Sequence, residues 1–134
     1  MRWRRLALVT GIAAVAFAAV TLVALEGREV VRLRTITPDG GVRTTRTWVA
    51  DWDGAMWIEA ANDQRPFLLD LQARPDVELV RGGQPLPLHA IPVPGPDGHR
   101  RIRALLAEKY GWADRWIGLL ADTSHSVAIR LEPR

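Results

Sequence analysis

Few side chains in this 134-residue chain have the types and spacing that catalysis requires. Cysteine is absent, so neither thiol chemistry nor a disulfide is available. The three histidines, His89, His99 and His125, are not at the spacing of metal ligands. Ser124 next to His125 would point to the opposite face of a strand, and no strained nucleophile turn surrounds it. The sequence therefore predicts no metal centre and no catalytic acid, base or nucleophile.

The charges exclude a nucleic-acid partner. Lys and Arg number 18 and Asp and Glu number 15, which gives a formal net charge of +3. Arg2, Arg4 and Arg5 account for that whole excess, so the positive and negative charges balance over the rest of the chain. A basic tip of five residues is not the extended basic surface that nucleic-acid binding requires.

The residues from Leu6 to Leu25 form an apolar run without a single charge. As a helix, twenty residues at about 1.5 Å each span about 30 Å, the thickness of the hydrocarbon core of a bilayer. Arginines and Trp3 precede the run and Glu26 follows it, as expected at two membrane interfaces. We therefore predict a basic tip over residues 1–5, a single-pass transmembrane anchor over residues 6–25 and a folded domain over residues 26–134.

A cleaved signal peptide is the alternative interpretation of the same run. Such a peptide needs small residues at two positions separated by one, and Leu22, Val23 and Ala24 match that pattern poorly. The flanking charges do not fix the orientation, because three arginines precede the run and Arg28, Arg32 and Arg34 follow it. The prediction is a membrane protein, with the side that carries the soluble domain left open.

The remaining residues alternate between strand and helix patterns. Period-two alternation and turn residues predict six strands, namely Glu29–Ile36, Val42–Ala50, Ala55–Ala61, Val77–Arg81, Leu86–Val93 and one with Val127, Ile129 and Leu131 on one face. Helical spacing predicts two or three short helices, over Pro66–Ala73, from His99 to Tyr110 and over Ala113–Ala121. Pro85, Pro87 and Pro92 each lack a ladder donor, which predicts an edge position for the fifth strand. Six antiparallel strands around so small a core favour an α+β domain with a curled barrel.

Several short segments carry a resemblance to a known superfamily. They are Arg46–Val49, the turn Asp53–Gly54, Leu71, Pro75, Val77–Leu79, Gly82–Gly83 and Lys109–Gly111. Together they resemble the flavin and deazaflavin split-barrel superfamily, and within it the chain is most similar to the deazaflavin-dependent nitroreductase and quinone reductase group. The resemblance covers residues 30–133 and implies a six-stranded antiparallel split β-barrel that binds a deazaflavin or FMN.

The resemblance also implies where the cofactor would lie. In such proteins basic residues on the second strand and on the loop before the first domain helix hold the phosphate, and Arg43, Arg46 and Arg65 fall at those places. A guanidinium binds phosphate with two hydrogen bonds, and a helix N-terminus attracts an anion. Asp63, in the same loop, departs from that pattern because it would repel a phosphate. The alternative is that these arginines are solvated residues of strand faces.

Aromatic side chains complete the expected site. By the same resemblance, Trp48 and Trp57 would lie near the cofactor ring and Tyr110 at its rim, whereas tryptophans on amphipathic strands otherwise belong to the core.

The implied function is a membrane-anchored oxidoreductase that transfers a hydride to a lipophilic acceptor such as a quinone, with homodimers expected. The alternative is a non-enzymatic, membrane-tethered barrel that binds a ligand or partner.

Overall fold

The structure is a computed structural model that describes all 134 residues, and it is an α+β protein with four helices and one antiparallel sheet of seven strands. The helices are α1 (Arg2–Glu26), α2 (Pro66–Ala73), α3 (Pro96–Tyr110) and α4 (Trp112–Leu120). The strands are β1 (Val31–Ile36), β2 (Val42–Thr47), β3 (Ala50–Trp52), β4 (Ala55–Ala60), β5 (Asp76–Arg81), β6 (Gln84–Val93) and β7 (Val127–Pro133).

The sheet has the order β2-β1-β5-β6-β7-β4-β3, so its two edge strands, β2 and β3, are neighbours in the sequence. Only Trp48 and Val49 connect them. Because the three steps from Thr47 to Ala50 span at most about 10 Å, the adjoining ends of the two edge strands must lie close together. The sheet is therefore curled into a half-barrel, as the sequence predicts.

The prediction of six strands is wrong by one. The predicted second strand, Val42–Ala50, is broken between β2 and β3. Its first part pairs with β1, where Arg46 lies opposite Arg32, and its second part pairs with β4, where Ala50 lies opposite Trp57. One extended segment thus serves both edges of the curled sheet, and the change of partner at Trp48 and Val49 divides it into two strands.

The predicted edge position of the proline-rich strand is also wrong, because β6 pairs with both β5 and β7. The two pairings are staggered: residues 84–89 face β5 and residues 88–93 face β7. The Ala90 N–H donates to the Pro75 carbonyl, on the β5 side of β6. Because successive backbone N–H groups point to alternate sides of a strand, the nitrogens of Pro85 and Pro87 face the β7 side. Both prolines precede residues 88–93, which pair with β7. The nitrogen of Pro92 faces the β5 side, beyond the start of β5. The prolines therefore remove no bond between paired residues.

Helix α2 covers an apolar cluster that we call the inner cluster. It contains 14 buried apolar residues, namely Val31, Leu33, Val49, Ile58, Ala60, Phe67, Leu68, Leu71, Val77, Leu79, Leu88, Ala90, Ile129 and Leu131. Val31 and Leu33 alternate with the exposed Arg32 and Arg34, as the period of two predicts. Pro66 occupies the first turn of α2, where its missing N–H costs nothing.

Helices α3 and α4 pack on a second group that we call the outer cluster. It contains Ala24, Ala50, Ala55, Trp57, Ile102, Leu106, Tyr110, Ala113 and Ala128. Trp57 belongs to the outer cluster while its neighbour Ile58 belongs to the inner one, so the two clusters lie on opposite faces of β4. Gly111, with a φ of +55°, allows the chain to turn from α3 into α4.

Helix α1 is long and apolar enough to cross a membrane, and its apolar stretch is not buried in the domain. Its C-terminal part, from Phe17 onward, contacts the rest of the chain. The ring centroid of Phe17 lies 5.6 Å from that of Trp116 on α4, and the Trp116 Nε1 donates to the Thr21 Oγ1 at 3.0 Å. Ala24 is fully buried in the outer cluster. The length and position of α1 also suit a signal sequence.

Candidate functional site

A cavity of about 220 Å³ lies where the end of α1, strand β2 and helices α3 and α4 meet. Its lining has 13 residues, of which five are apolar and five are charged. The lining residues are Leu25, Glu26, Val30, Arg46, Thr47, Trp48, Glu59, Arg103, Leu106, Asp114, Ile117, Gly118 and Thr123. Two of them, Arg46 and Trp48, are residues that the resemblance implies for a cofactor site.

Strand β2 and the connection that follows it position Arg46 and Trp48 at the cavity. The Arg46 guanidinium pairs with the carboxylate of Glu26, the last residue of α1, and both side chains are largely exposed. The Trp48 indole stacks on the ring of Tyr110 with centroids 4.2 Å apart and planes 9° from parallel. Its Nε1 donates to the Leu25 carbonyl at 3.2 Å. Both cavity residues therefore also fasten the end of α1 to the domain.

Tyr110 supports Trp48 from beneath and is itself completely buried. Its hydroxyl donates to the Glu29 carbonyl at 2.7 Å and accepts from the Val49 N–H at 3.1 Å. Burial raises the pKa of this phenol, because the ionised form would lose its hydration. The side chain thus lies under the cavity wall and not at an exposed rim.

An ion cluster that the sequence analysis missed forms another part of the lining. Arg103 donates to both oxygens of Glu59, at 2.9 and 3.0 Å, and to both oxygens of Asp114, at 2.6 and 2.8 Å. Burial opposes the charge of Arg103, but the two carboxylates outweigh it and raise the pKa of the guanidinium. The available signal was Glu59, the one charged residue in the otherwise apolar strand β4.

Arg43 and Arg46 do not converge on one point. They are three residues apart on β2 and so point to opposite faces. The Arg43 Nε donates to the Asp70 carboxylate on α2 at 2.7 Å, and the Thr35 hydroxyl donates to the same oxygen at 2.8 Å. Because Asp70 is buried, Arg43 neutralises a charge in the protein interior.

The other two residues of the predicted site lie elsewhere. Arg65 is exposed at the N-terminal end of α2, where its carbonyl accepts from the Leu68 and Leu69 N–H groups. Trp57 is buried in the outer cluster, and its Nε1 donates to the Trp52 carbonyl at 3.2 Å. The structure thus brings Arg46, Trp48 and Tyr110 together and places Arg43 and Arg65 beside α2.

A second charged network joins the start of the domain to β3, β5 and α3. Arg81 donates to both oxygens of Glu29, at 2.9 and 3.0 Å, and to both oxygens of Asp51, at 2.7 Å each. Lys109 donates to Glu29 and to the Val49 carbonyl, each at 2.6 Å. The Arg81 hydrogen bonds lower the pKa of Glu29, assisted by Lys109, and also lower the pKa of Asp51. The network thereby fastens the β2–β3 connection.

No family model and no curated protein matches the chain, whereas many solved structures do. A conserved hypothetical protein from Mycobacterium tuberculosis is 21% identical, with a TM-score of 0.61, over 87% of this chain and 79% of that one. An F420 reductase is 21% identical, with a TM-score of 0.54, over 84% of this chain and 92% of that one.

Other similar structures carry different descriptions. A putative pyridoxamine 5'-phosphate oxidase from Listeria innocua is 15% identical, with a TM-score of 0.60, over 84% of this chain and 90% of that one. The heme storage protein HutZ from Vibrio cholerae is 14% identical, with a TM-score of 0.61, over 83% of this chain and 85% of that one. A likeness at such low identity shows a shared fold and leaves the ligand to be argued from the site. The chain therefore shares the fold of these four proteins.

Proposed function

We propose that this protein is a membrane-anchored oxidoreductase that binds a deazaflavin or FMN at the cavity beside β2. The observation that carries the proposal is the placement of Arg46 and Trp48 together on the lining of one cavity, in a fold shared with an F420 reductase and a pyridoxamine 5'-phosphate oxidase-like protein. In this proposal Arg46 binds the phosphate of the cofactor and Trp48 lies against its ring.

The size of the cavity limits which part of the cofactor it holds. Complete ligand sites usually measure about 300–1,000 Å³. A volume of about 220 Å³ therefore suits the ring system alone, and the phosphate would remain near the surface. Trp48 is pre-positioned for a ring because Tyr110 already holds it in a stacked arrangement.

The charges of the lining allow a phosphate only at Arg46. Arg103 is committed to Glu59 and Asp114, whereas Arg46 has a single exposed partner, Glu26. An exposed ion pair contributes less than about 1 kcal/mol, so a phosphate can replace the Glu26 carboxylate at little cost. Arg65, the other arginine that the resemblance offers for the phosphate, is exposed at the start of α2 and outside this lining, so it is kept as a separate test of that expectation. In this proposal Tyr110 supports Trp48, while Arg43 and Trp57 lie outside the cavity lining, and none of the three contacts the cofactor.

The cofactor, when bound, would supply the hydride chemistry, so the chain needs no catalytic acid or nucleophile of its own. Its own residues would bind and orient the ring and keep the phosphate at the surface. The anchor α1 would hold the site beside the bilayer, where lipophilic acceptors such as quinones dissolve. Membrane anchoring and a quinone acceptor are therefore parts of one proposal.

Titration of the full-length protein in detergent micelles with FMN or F420 tests the proposal, with tryptophan fluorescence as the signal. We expect Arg46→Ala to weaken binding by about ten- to hundredfold, which corresponds to about 1.5–3 kcal/mol for a charged hydrogen bond. Arg65→Ala tests the other arginine in the same way. Arg100→Ala is the matched control, because Arg100 also has one exposed carboxylate partner, Asp97, but lies outside the cavity. Unchanged affinity in both the Arg46 and Arg65 variants would place the site elsewhere.

A non-enzymatic barrel is the second candidate, and a specific observation favours it. Arg43 is paired with the buried Asp70, and both Trp57 and Tyr110 are buried, so half of the expected cofactor residues are engaged in packing. A heme storage protein has a similar fold, so such a barrel can bind a ligand without transferring a hydride. Absence of binding by the wild-type protein at high micromolar concentrations of both cofactors would favour this candidate.

We also propose that the protein forms homodimers. One similar structure, 18% identical with a TM-score of 0.59 over 78% of this chain and 81% of that one, is described as a domain-swapped dimer. Sedimentation equilibrium in density-matched detergent tests this proposal, with a mass of two chains expected and a mass of one chain contradicting it.

A further inference from the structure

Helix α4 carries an apolar face that the protein does not cover. Leu119 is 82% exposed, and Trp112 and Leu120 are also exposed. The positions 112, 116, 119 and 120 follow helical spacing and lie on one side of α4. The other side contributes Ala113 and Asp114 to the domain interior. The exposed part of this face, formed by Trp112, Leu119 and Leu120 beside the half-buried Trp116, marks an interaction surface.

The position of this face relative to α1 identifies what covers it. Trp116 contacts Phe17 and donates to Thr21, so α4 runs beside the last third of α1. From Phe17 to Leu25 the helix rises about 12 Å. If α4 lay in water, that third of α1 would lie in water with it. The run from Leu6 to Phe17 would then provide only about 18 Å, too short for a hydrocarbon core of about 30 Å.

We propose that α4 lies in the interfacial layer of the bilayer beside the anchor α1, with Trp112, Leu119 and Leu120 in contact with lipid and Trp116 packed against α1. This inference rests on the anchoring part of the proposed function. Tryptophan is enriched at the membrane interface, where its ring is buried among lipid chains and its N–H remains in contact with polar groups. Arg115 is exposed one turn before Leu119, and its long side chain reaches the headgroup phosphates from there.

The arrangement also sets the depth of the cavity. Leu25 at the end of α1, with Ile117 and Gly118 on α4, forms part of its lining. These residues would therefore lie at the level of the headgroups. A lipophilic acceptor would then reach the cavity from the bilayer without passing through water. The proposed oxidoreductase would thus receive its acceptor directly from the membrane.

Spin labels at single cysteines test the inference in the full-length protein, reconstituted into vesicles of phosphatidylcholine and phosphatidylglycerol. The chain has no cysteine, so each variant carries one label. The test position is Leu119→Cys, and its high exposure leaves the packing intact. The matched control is Leu69→Cys, a 47% exposed leucine on α2. Val15→Cys, on the 70% exposed face of α1, reports on the anchor itself.

The measured quantity is the accessibility of each label to oxygen, which concentrates in lipid, relative to a water-soluble nickel chelate. We expect this ratio to be several-fold higher at positions 119 and 15 than at position 69. A lipid-like ratio at position 15 with a water-like ratio at position 119 would overturn the inference and leave the anchor intact. A water-like ratio at position 15 would overturn both. Neither result depends on cofactor binding, so the oxidoreductase proposal is tested separately.

Discussion

The inner and outer clusters lie on opposite faces of β4 but are built from different residues. The inner cluster is made almost entirely of large aliphatic side chains, and its one buried carboxylate, Asp70, is matched by Arg43 and Thr35. The outer cluster contains five alanines and two large aromatic side chains, and it adjoins a cavity and the ion cluster around Arg103. Burying charges costs free energy that a purely apolar core avoids.

This difference separates stability from function. The inner cluster stabilises the half-barrel through close packing of apolar side chains. The outer face leaves space unfilled and keeps charges beside it, which is how ligand sites are generally built. We therefore expect substitutions in the inner cluster to change stability most, and substitutions at the cavity to change binding more than stability.

Truncation of the inner cluster should have the largest effect. Leu68 is fully buried on α2, so Leu68→Ala should lower the free energy of unfolding by about 3 kcal/mol through lost burial and a residual cavity. Ile117 is similar in size to Leu68 but is only partly buried, on the lining of the cavity. Ile117→Ala should therefore lower the free energy of unfolding by only about 1 kcal/mol. Thermal unfolding in detergent, followed by near-ultraviolet circular dichroism, measures both. Equal losses would contradict the division between the clusters.

Breaking the ion cluster should have the next largest effect. Arg103→Met leaves Glu59 and Asp114 unpaired in a largely buried place, so we expect a loss of about 2–3 kcal/mol. Arg100→Met is the matched control on the same helix, because its pair with Asp97 is exposed and should contribute almost nothing. If the two variants melted at the same temperature, the ion cluster would have no structural role.

Replacement of two helix glycines by alanine should change the stability of the protein in opposite directions. A Cβ at Gly98 on α3 would lie 2.0 Å from the Val93 carbonyl oxygen, so Gly98→Ala should destabilise the protein by about 2 kcal/mol. A Cβ at Gly118 on α4 would meet no atom within 4 Å, so Gly118→Ala should stabilise the helix by about 0.5 kcal/mol. The melting temperatures of the two variants should shift in opposite directions, and a shift in the same direction would contradict the packing at one of the two sites.

The smallest effect concerns the response to acid. Hydrogen bonds from Arg81 lower the pKa values of Glu29 and Asp51 below their ordinary values of 4.5 and 3.8. The native state therefore favours the ionised forms, and this stabilisation is complete above those values and is lost as the pH falls through the lowered pKa values. Because the carboxylates are partly exposed, we expect less than about 1 kcal/mol. Arg81→Gln should flatten the dependence of the melting temperature on pH between 5 and 3, and an unchanged slope would contradict this origin.

The sequence predicts the elements of the inner cluster well, because alternation in β1 and the proline-started helix α2 are local signals. It predicts the second strand and the edge position of β6 less well. The break at Trp48 and Val49 has no glycine or proline to mark it, and the effect of the three prolines depends on how far β5 and β7 extend along β6. These features follow from pairing between distant segments and not from local propensity.

The candidate site was partly predictable for the same reason. Arg46 and Trp48 are two residues apart in the predicted second strand, Val42–Ala50, so period-two alternation places them on one face. Glu59, Arg103 and Asp114 come from a strand and two helices, and only the folded chain brings them into contact. The separation of Arg43 from Arg46 follows from strand parity, which the resemblance to other split barrels did not take into account.

The most direct test of the central claim is the absorption spectrum of the full-length protein after purification in mild detergent and incubation with FMN or F420, followed by removal of unbound cofactor. A cofactor-binding site at Arg46 and Trp48 predicts retained flavin or deazaflavin absorbance near one equivalent per chain, strongly reduced in Arg46→Ala and preserved in Arg100→Ala. A colourless wild-type protein with both cofactors would contradict the claim that this half-barrel is a flavin- or deazaflavin-dependent oxidoreductase.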